Sequence, residues 1–192
     1  MTQRYTAGAI VLHWLTAALI IFNLSQGFFM EDFARPLKEI VVPLHISAGV
    51  TVLALTLLRI AWRLMHLPPP LPGDMPGWER TAALLAHGAF YVLMLGMTLT
   101  GWSIISAHPP RHGGGPMIWG LFHMPPISAL SRLQPGVQKN VHEDFVSLHS
   151  AGAWIFLCLL GLHVAAALKH QFVDGHDELG RMGISRGGRS RG

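Results

Sequence analysis

Four long apolar stretches limit what this 192-residue chain can fold into. About 20 consecutive apolar residues are enough for a helix to cross the hydrocarbon core of a bilayer. Hydrocarbon offers no hydrogen-bond partners, so only helices and closed barrels can span it. Hydrophobic residues make up 51% of the chain and charged residues only 12%, which excludes an ordinary soluble domain. We predict an all-α membrane protein, a four-transmembrane-helix bundle.

The spanning helices are predicted at about 7–29, 40–65, 81–106 and 145–172. A charged segment at 31–39 separates the first two, and a proline-rich run at 68–76 ends the second because proline removes a backbone donor. These helices place one transmembrane domain at 1–174. Residues 175–192 form a polar, basic, Gly/Arg-rich cytoplasmic tail that we expect to be mobile.

The connection at 107–144 is longer than an ordinary loop, which favours a function for it. Its stretch 117–122 is apolar and aromatic but too short to span a bilayer. That pattern predicts a segment lying at the membrane interface. The histidines of this connection are expected to be solvated or interfacial: His108, His112, His123 and His142.

Basic residues are concentrated on the side of the predicted bundle that carries both termini. Loops rich in Lys and Arg stay on the cytoplasmic side of a membrane, so both termini are predicted to be cytoplasmic. The residues on that side are Arg4, Arg59, Arg63, Arg80, Lys169, Arg181, Arg186, Arg189 and Arg191. This topology accounts for the net charge of +4 without a nucleic-acid partner. The lipid bilayer is the expected partner of the apolar surface.

Histidines are unusually frequent, 12 against 10 carboxylates, and four of them lie inside the predicted spans. His163 follows His149 by 14 residues, close to four helical turns, so both point the same way and stand about 21 Å apart along the axis. His13 lies at the depth of His163, and His45 at the depth of His149. The spacing therefore predicts the pairs His13/His163 and His45/His149.

A single membrane histidine is most simply a hydrogen-bonding residue between helices, but four at matching depths favour two bis-histidine haem sites. Cys158 is the one cysteine, so covalent attachment through CxxCH is excluded and the haems would be of the b type. Zinc is a weaker alternative because the two histidines of the fourth helix cannot converge on one ion. Small residues nearby would leave room for a ring, or serve as ordinary helix contacts: Ala48, Gly49, Ala151, Gly152, Ala165 and Ala166.

Three further polar residues lie towards the cytoplasmic ends of the helices. Arg59 is level with the His13/His163 pair and is a candidate partner for a haem propionate, or a residue placed by topology alone. His87 and His170 would line a pocket beside that pair, bond a propionate, or be plain interfacial histidines.

Each predicted span contains a characteristic short motif: Ile10-Val11-Leu12-His13-Trp14, His45 with Gly49, Ala86-His87-Gly88 with Tyr91, and the run GLHVAAALKH at 161–170. In these motifs the chain resembles the bacterial cytochrome b561 family, over roughly residues 4–172. The resemblance implies a four-helix bundle with two b haems on the four paired histidines. It also implies a location in the bacterial inner membrane and electron transfer to or from quinone.

Within that family the chain is most similar to small stand-alone cytochromes that act as superoxide oxidases. The activity so implied takes electrons from periplasmic superoxide and passes them to ubiquinone. We expect Arg111, Arg132 and Lys139 to attract superoxide on the outer face, an effect that weakens with salt. A quinone pocket would be formed by Arg80, His87 and His170.

Two other functions stay open at this stage. The chain could be the membrane-anchor subunit that relays electrons between a partner dehydrogenase or hydrogenase and quinone, with the outer connection docking that periplasmic or membrane redox partner. It could also be a haem carrier or a structural membrane protein, which would need no quinone pocket.

Overall fold

The computed structural model describes residues 4–108 and 115–184. Its long helices are α1 (Ala7–Phe29), α2 (Arg35–Met65), α3 (Gly77–Ala107) and α5 (Pro135–Phe172). The shorter elements are a 3₁₀ helix (Met30–Asp32), β1 (Met117–Ile118), β2 (Phe122–His123), α4 (Ser128–Ser131) and α6 (Glu178–Arg181). All four long helices are long and apolar enough to cross a membrane, which confirms the predicted four-helix bundle.

Three of the helices begin earlier than their apolar stretches. α2 starts at Arg35, α3 at Gly77 and α5 at Pro135, whereas the sequence predicted starts near 40, 81 and 145. Hydropathy marks only the part of a helix that needs hydrocarbon, and a charged turn outside the bilayer keeps its internal hydrogen bonds. A proline in the first turn of α2 and of α5 suits these starts, since the first amides of a helix have no internal acceptor.

The helices pack as an up-and-down bundle in which α3 contacts α5 and α1 contacts α2 most extensively. Val52, Met94 and Phe156 are buried at its centre. Large apolar side chains on the outer faces are exposed, as expected where lipid replaces water. The first and last described segments lie at one end of the bundle, where the backbone N–H of Tyr5 donates to the Arg181 carbonyl at 3.2 Å.

Helices α1 and α2 meet at a contact in which a glycine faces an indole. Gly8 lies against the ring of Trp62, whose Nε1 donates to Oγ1 of Thr6 at 2.9 Å. A Cβ at position 8 would come within 2.7 Å of Cε2 of Trp62. Glycine is therefore required there for the helices to keep their separation.

The β1–β2 hairpin covers the end of the bundle opposite the termini, called the hairpin end below. Its turn residues Trp119 and Gly120 have positive φ angles of 50° and 71°. The backbone N–H of Trp119 donates to Oγ of Ser47 at 3.0 Å, and its Nε1 donates to Oγ1 of Thr51 at 2.9 Å. Ile118 is 2% exposed. The segment predicted at the membrane interface is thus bonded to α2.

Residues 175–184, called the terminal segment below, belong to the predicted tail and make defined hydrogen bonds with the rest of the chain. They fold back over the other end of the bundle, called the terminal end. Nε of Arg4 donates to the Gly180 carbonyl at 3.0 Å, and Nε1 of Trp14 donates to the Met182 carbonyl at 3.0 Å. Arg181 is 5% exposed. Residues 185–192 lie outside the described part.

The composition of the tail did not predict this folding, because the hydrogen-bond acceptors lie in a distant part of the chain. The Arg181 guanidinium donates to the carbonyls of Pro69 and Pro70, in the run that joins α2 to α3. That run is not helical, so its carbonyls are open to a side-chain donor. A basic residue in a polar tail gains hydrogen bonds there that the tail itself cannot supply.

The contact between α1 and α2 predicts that Gly8→Ala will lower the melting temperature of the protein in detergent. Overpacking of this kind costs about 1–3 kcal/mol. Gly161→Ala on α5 is the matched control, because a Cβ there meets nothing within 4 Å. Equal melting temperatures for the two variants, followed by far-UV circular dichroism, would show that the close approach is unimportant.

Candidate functional site

Two pairs of histidine rings face each other at opposite ends of the bundle. The ring centroids of His13 and His163 are 6.4 Å apart with planes at 55°, at the terminal end. Those of His45 and His149 are 6.2 Å apart with planes at 74°, at the hairpin end. The structure thus brings together the four histidines in the pairs that depth alone predicted.

The separations suit two axial ligands of one metal. A bond between a transition metal and an imidazole nitrogen is about 2 Å long, and the ring centroid lies about 1 Å behind that nitrogen, so two such rings on opposite sides have centroids about 6 Å apart. Nδ1 of His45 is buried and has no hydrogen-bond partner among the described residues. The two rings of each pair could therefore hold a haem iron between them.

Two glycines and a threonine shape the surroundings of the hairpin-end pair. A Cβ at Gly27 would lie 3.5 Å from Cε1 of His45, and one at Gly101 would lie 3.4 Å from Cε1 of His149. Oγ1 of Thr100 is 2.9 Å from Nδ1 of His149. This contact leaves Nε2 of His149 to face a ligand, because a metal-bound histidine commonly bonds a partner through its other nitrogen.

The terminal-end pair has a more polar and more aromatic setting. Nη2 of Arg59 is 3.4 Å from Nδ1 of His13, and the guanidinium carbon lies 5.8 Å from the centroid of the Tyr91 ring. His87 stands 6.0 Å from His163, as close as His13 does. His163 therefore has two imidazole neighbours at this depth, those of His13 and His87.

A repeated spacing of 14 residues explains the two depths. In each long helix a residue of one level is followed four turns later by a residue of the other level, on the same face. The spacings are His13 to Gly27 in α1, His45 to Arg59 in α2, His87 to Gly101 in α3, and His149 to His163 in α5. Sequence reasoning used two of these spacings and missed Gly27 and Gly101, although the same count would have found them.

The three residues predicted to form a quinone pocket each contact a different partner. His87 is beside His163, whereas Nη2 of Arg80 donates to the Pro72 carbonyl at 3.2 Å. His170 faces Asp174, with Nδ1 and Oδ2 2.7 Å apart. No hydrogen bond or ring contact joins these three to one another within 4–108 and 115–184.

Charged groups gather beyond the membrane-spanning part of the terminal end. Hydrogen bonds from the Lys169 ammonium and from His170 hold the pKa of the Asp174 carboxyl below its usual range. A hydrogen bond from His176 likewise lowers the pKa of Asp74. Ionised carboxylates are therefore favoured at this surface at neutral pH.

A family model and two relatives match nearly the whole chain, and a third relative matches 53% of it. A family model described as prokaryotic cytochrome b561 matches residues 4–183. The chain is 31% identical over 189 residues to cytochrome b561 homolog 2 of Escherichia coli strain K12, covering 94% of this chain and 91% of that protein. It is 25% identical over 189 residues to the probable superoxide oxidase CybB of Yersinia pestis, covering 95% and 97%. It is 37% identical over 113 residues to cytochrome b562 of Cereibacter sphaeroides, covering 53% and 70%.

The contact between Gly101 and His149 predicts that Gly101→Val will remove or weaken ligand binding at the hairpin-end pair while sparing the terminal-end pair. The branched side chain would occupy the room beside the imidazole. Gly88→Val is the matched control on the same helix, since a Cβ there meets nothing within 4 Å. The measurement is the haem absorbance per chain of each purified variant. Equal haem loss in both variants would contradict the assigned role of Gly101.

Proposed function

This chain belongs to the prokaryotic cytochrome b561 family, and we propose that it is a di-haem superoxide oxidase that passes electrons from superoxide to ubiquinone. As a member of this family, it is a multi-pass membrane protein that binds haem b and transfers electrons. Bound haem b supplies one-electron chemistry through the ferric and ferrous states of its iron. The presence of a histidine pair near each end of the bundle is the observation that carries the proposal.

The proposed ligands are His13 with His163 and His45 with His149. Each pair joins α5 to one of the first two helices, so the bundle itself sets the spacing of the rings. Thr100 orients His149 from α3. Arg59 supplies a positive charge beside the terminal-end pair, where it would offset a haem propionate.

We place the protein in the bacterial inner membrane with both termini in the cytoplasm. The support is the excess of Arg and Lys at the terminal end, because basic flanks remain on the cytoplasmic side. The hairpin end is then periplasmic. Superoxide would reach the protein at the hairpin end, and quinone would react at the terminal end.

The overall reaction consumes two superoxide anions for each quinone. Each superoxide anion gives up one electron and leaves as O₂, while quinone takes up two electrons and two protons to form quinol. At the terminal end the chain must deliver these protons to quinone, and a histidine can donate and accept protons near neutral pH. His87 is the best-placed candidate, because it lies 6.0 Å from His163 within the bundle. Arg80 and His170 lie nearer the surface of the same end.

Attraction of superoxide would depend mainly on Arg132 among the described basic residues of the hairpin end. Arg35, Lys38 and Lys139 each lie within 4.0 Å of a carboxylate, at Glu39, Glu31 and Glu143. Arg132 is exposed and makes no ion pair with a described residue. Arg111, the third residue predicted for this role, lies outside the described part of the chain.

The second candidate function is a membrane anchor for a partner redox protein. The hairpin favours it, because Leu121 is 78% exposed and Phe122 is 51% exposed at the hairpin end. Such a surface could bury against a periplasmic partner instead of lipid. Copurification of a second chain with the natively expressed protein would favour the anchor over the oxidase.

Substitution of the paired histidines tests the number and place of the haems. We expect two haems per chain by the pyridine haemochrome assay, and one in His149→Ala, because loss of an axial ligand removes only its own haem. His142→Ala is the control and should keep both. One haem per chain in the unaltered protein would contradict the di-haem proposal.

Two variants test whether the imidazole of His13 or that of His87 is the haem ligand opposite His163. We expect His13→Ala to lose the terminal-end haem and His87→Ala to keep it with slower quinone reduction. Haem loss in His87→Ala with retention in His13→Ala would reverse the assignment of the ligand.

The oxidase activity predicts dismutase-sensitive reduction of the oxidised protein by an enzymatic superoxide source, followed by visible absorbance. Arg132→Gln should slow the bimolecular rate several-fold at low salt and much less at high salt, because steering is screened. Arg63→Gln removes the same charge from the terminal end and should leave the rate unchanged. Haem that dithionite reduces but superoxide does not would contradict the oxidase and leave the anchor.

A further inference from the structure

A compact group of histidine and carboxylate side chains lies at the surface of the terminal end, apart from both histidine pairs. His170 is near the C-terminus of α5, and Asp174 and His176 follow in the turn that leads to α6. Each of the three residues offers one ligand atom, and these three atoms all lie within 4.8 Å of one another. We propose that these residues bind a divalent transition-metal ion, for which Zn²⁺ is the best match. The proposal is independent of the superoxide oxidase activity.

The donor set suits such an ion. Two imidazoles and one carboxylate are a common protein complement for zinc, which takes water or another ligand at the fourth position. Ligand atoms about 2.1 Å from a tetrahedral ion are about 3.4 Å apart. His170 Nδ1 and Asp174 Oδ2 are 2.7 Å apart in a hydrogen bond, so they need only separate slightly to share an ion.

His176 is held in the way that metal-binding histidines usually are. Its Nε2 lies 3.3 Å from Oδ2 of Asp74, in the connection between α2 and α3. Its Nδ1 is buried and has no hydrogen-bond partner within 4–108 and 115–184. A histidine that donates one N–H to a carboxylate presents a lone pair on its other nitrogen, which is the arrangement of a carboxylate–histidine–metal triad.

The local charge also favours a dication. Glu79 and Asp174 each accept from the Lys169 ammonium, at 2.8 and 2.9 Å, and Oε2 of Glu79 is 3.8 Å from Nδ1 of His170. With Asp74 there are three carboxylates around one ammonium, so with neutral histidines the group carries two excess negative charges. A bound dication would neutralise them, and Glu79 is near enough to become a fourth ligand.

A metal ion here would fasten parts of the chain that are distant in sequence. His170 belongs to α5, His176 to the terminal segment and Asp74 to the connection between α2 and α3. The ion would therefore hold the terminal segment against the end of the bundle, adding to the bonds of Arg181. It would also give His170 a structural role in place of the quinone pocket.

The test uses full-length holoprotein in detergent, without a histidine tag, after chelator treatment and dialysis against Zn²⁺. We expect one zinc ion per chain by elemental analysis and a higher melting temperature with zinc. His176→Ala and Asp174→Asn should lose that ion while keeping the haem spectrum. The double variant His108→Ala/His142→Ala removes two neighbouring histidines of the hairpin end and should keep it. Absence of saturable zinc binding, or equal zinc content in all variants, would overturn the proposal.

Two conservative variants keep the test informative if the ligand variants fold poorly. Asp74→Asn should weaken zinc binding about 10–100-fold, the usual effect of losing such a supporting carboxylate. Lys169→Gln should strengthen it, because the substitution removes the ammonium that competes for Asp174 and Glu79. Unchanged or weaker affinity in Lys169→Gln, measured by competition with a fluorescent zinc chelator, would overturn the proposal.

Discussion

Hydrocarbon offers an imidazole no hydrogen-bond partner, so a histidine inside a bilayer must find its partner within the protein. This chain places such rings on all four long helices, and the packing of the bundle turns them towards one another. The glycines that allow close packing, the threonine that bonds His149 and the arginine beside His13 all serve that arrangement. The apolar outer faces follow from the same constraint, since lipid covers them.

The two levels of the bundle differ chemically although they are built from one spacing. At the hairpin end two histidines face two glycines, which leaves space around the rings. At the terminal end three histidines share their level with Arg59, so positive charge and proton-carrying groups are concentrated there. The two ends of the bundle therefore differ in charge and in the number of titratable groups beside the histidine pair.

Each end of the bundle is closed by a short segment that bonds to helices distant in sequence. Trp119 bonds Ser47 and Thr51 at the hairpin end, and the terminal segment bonds Arg4, Trp14 and the proline run at the other end. These segments are polar enough to leave the hydrocarbon but retain donors and acceptors that need partners. The terminal segment also brings the charged groups of the terminal end together.

The sequence by itself determined the four helices, their alternating directions and the depth of each histidine, because hydropathy and a rise of about 1.5 Å per residue are local properties. It therefore predicted which histidines would meet, and a complete count of the 14-residue spacing would have added Gly27 and Gly101. Only the tertiary structure decided that His87 stands as close to His163 as His13 does, that Arg80 and His170 bond different partners, and that residues 175–184 fold back. Those outcomes depend on the rotation of each helix about its axis and on bonds between segments about 100 residues apart, such as Arg181 with Pro70. No local sequence pattern encodes these outcomes, because the packing of the whole bundle determines which residue each side chain contacts.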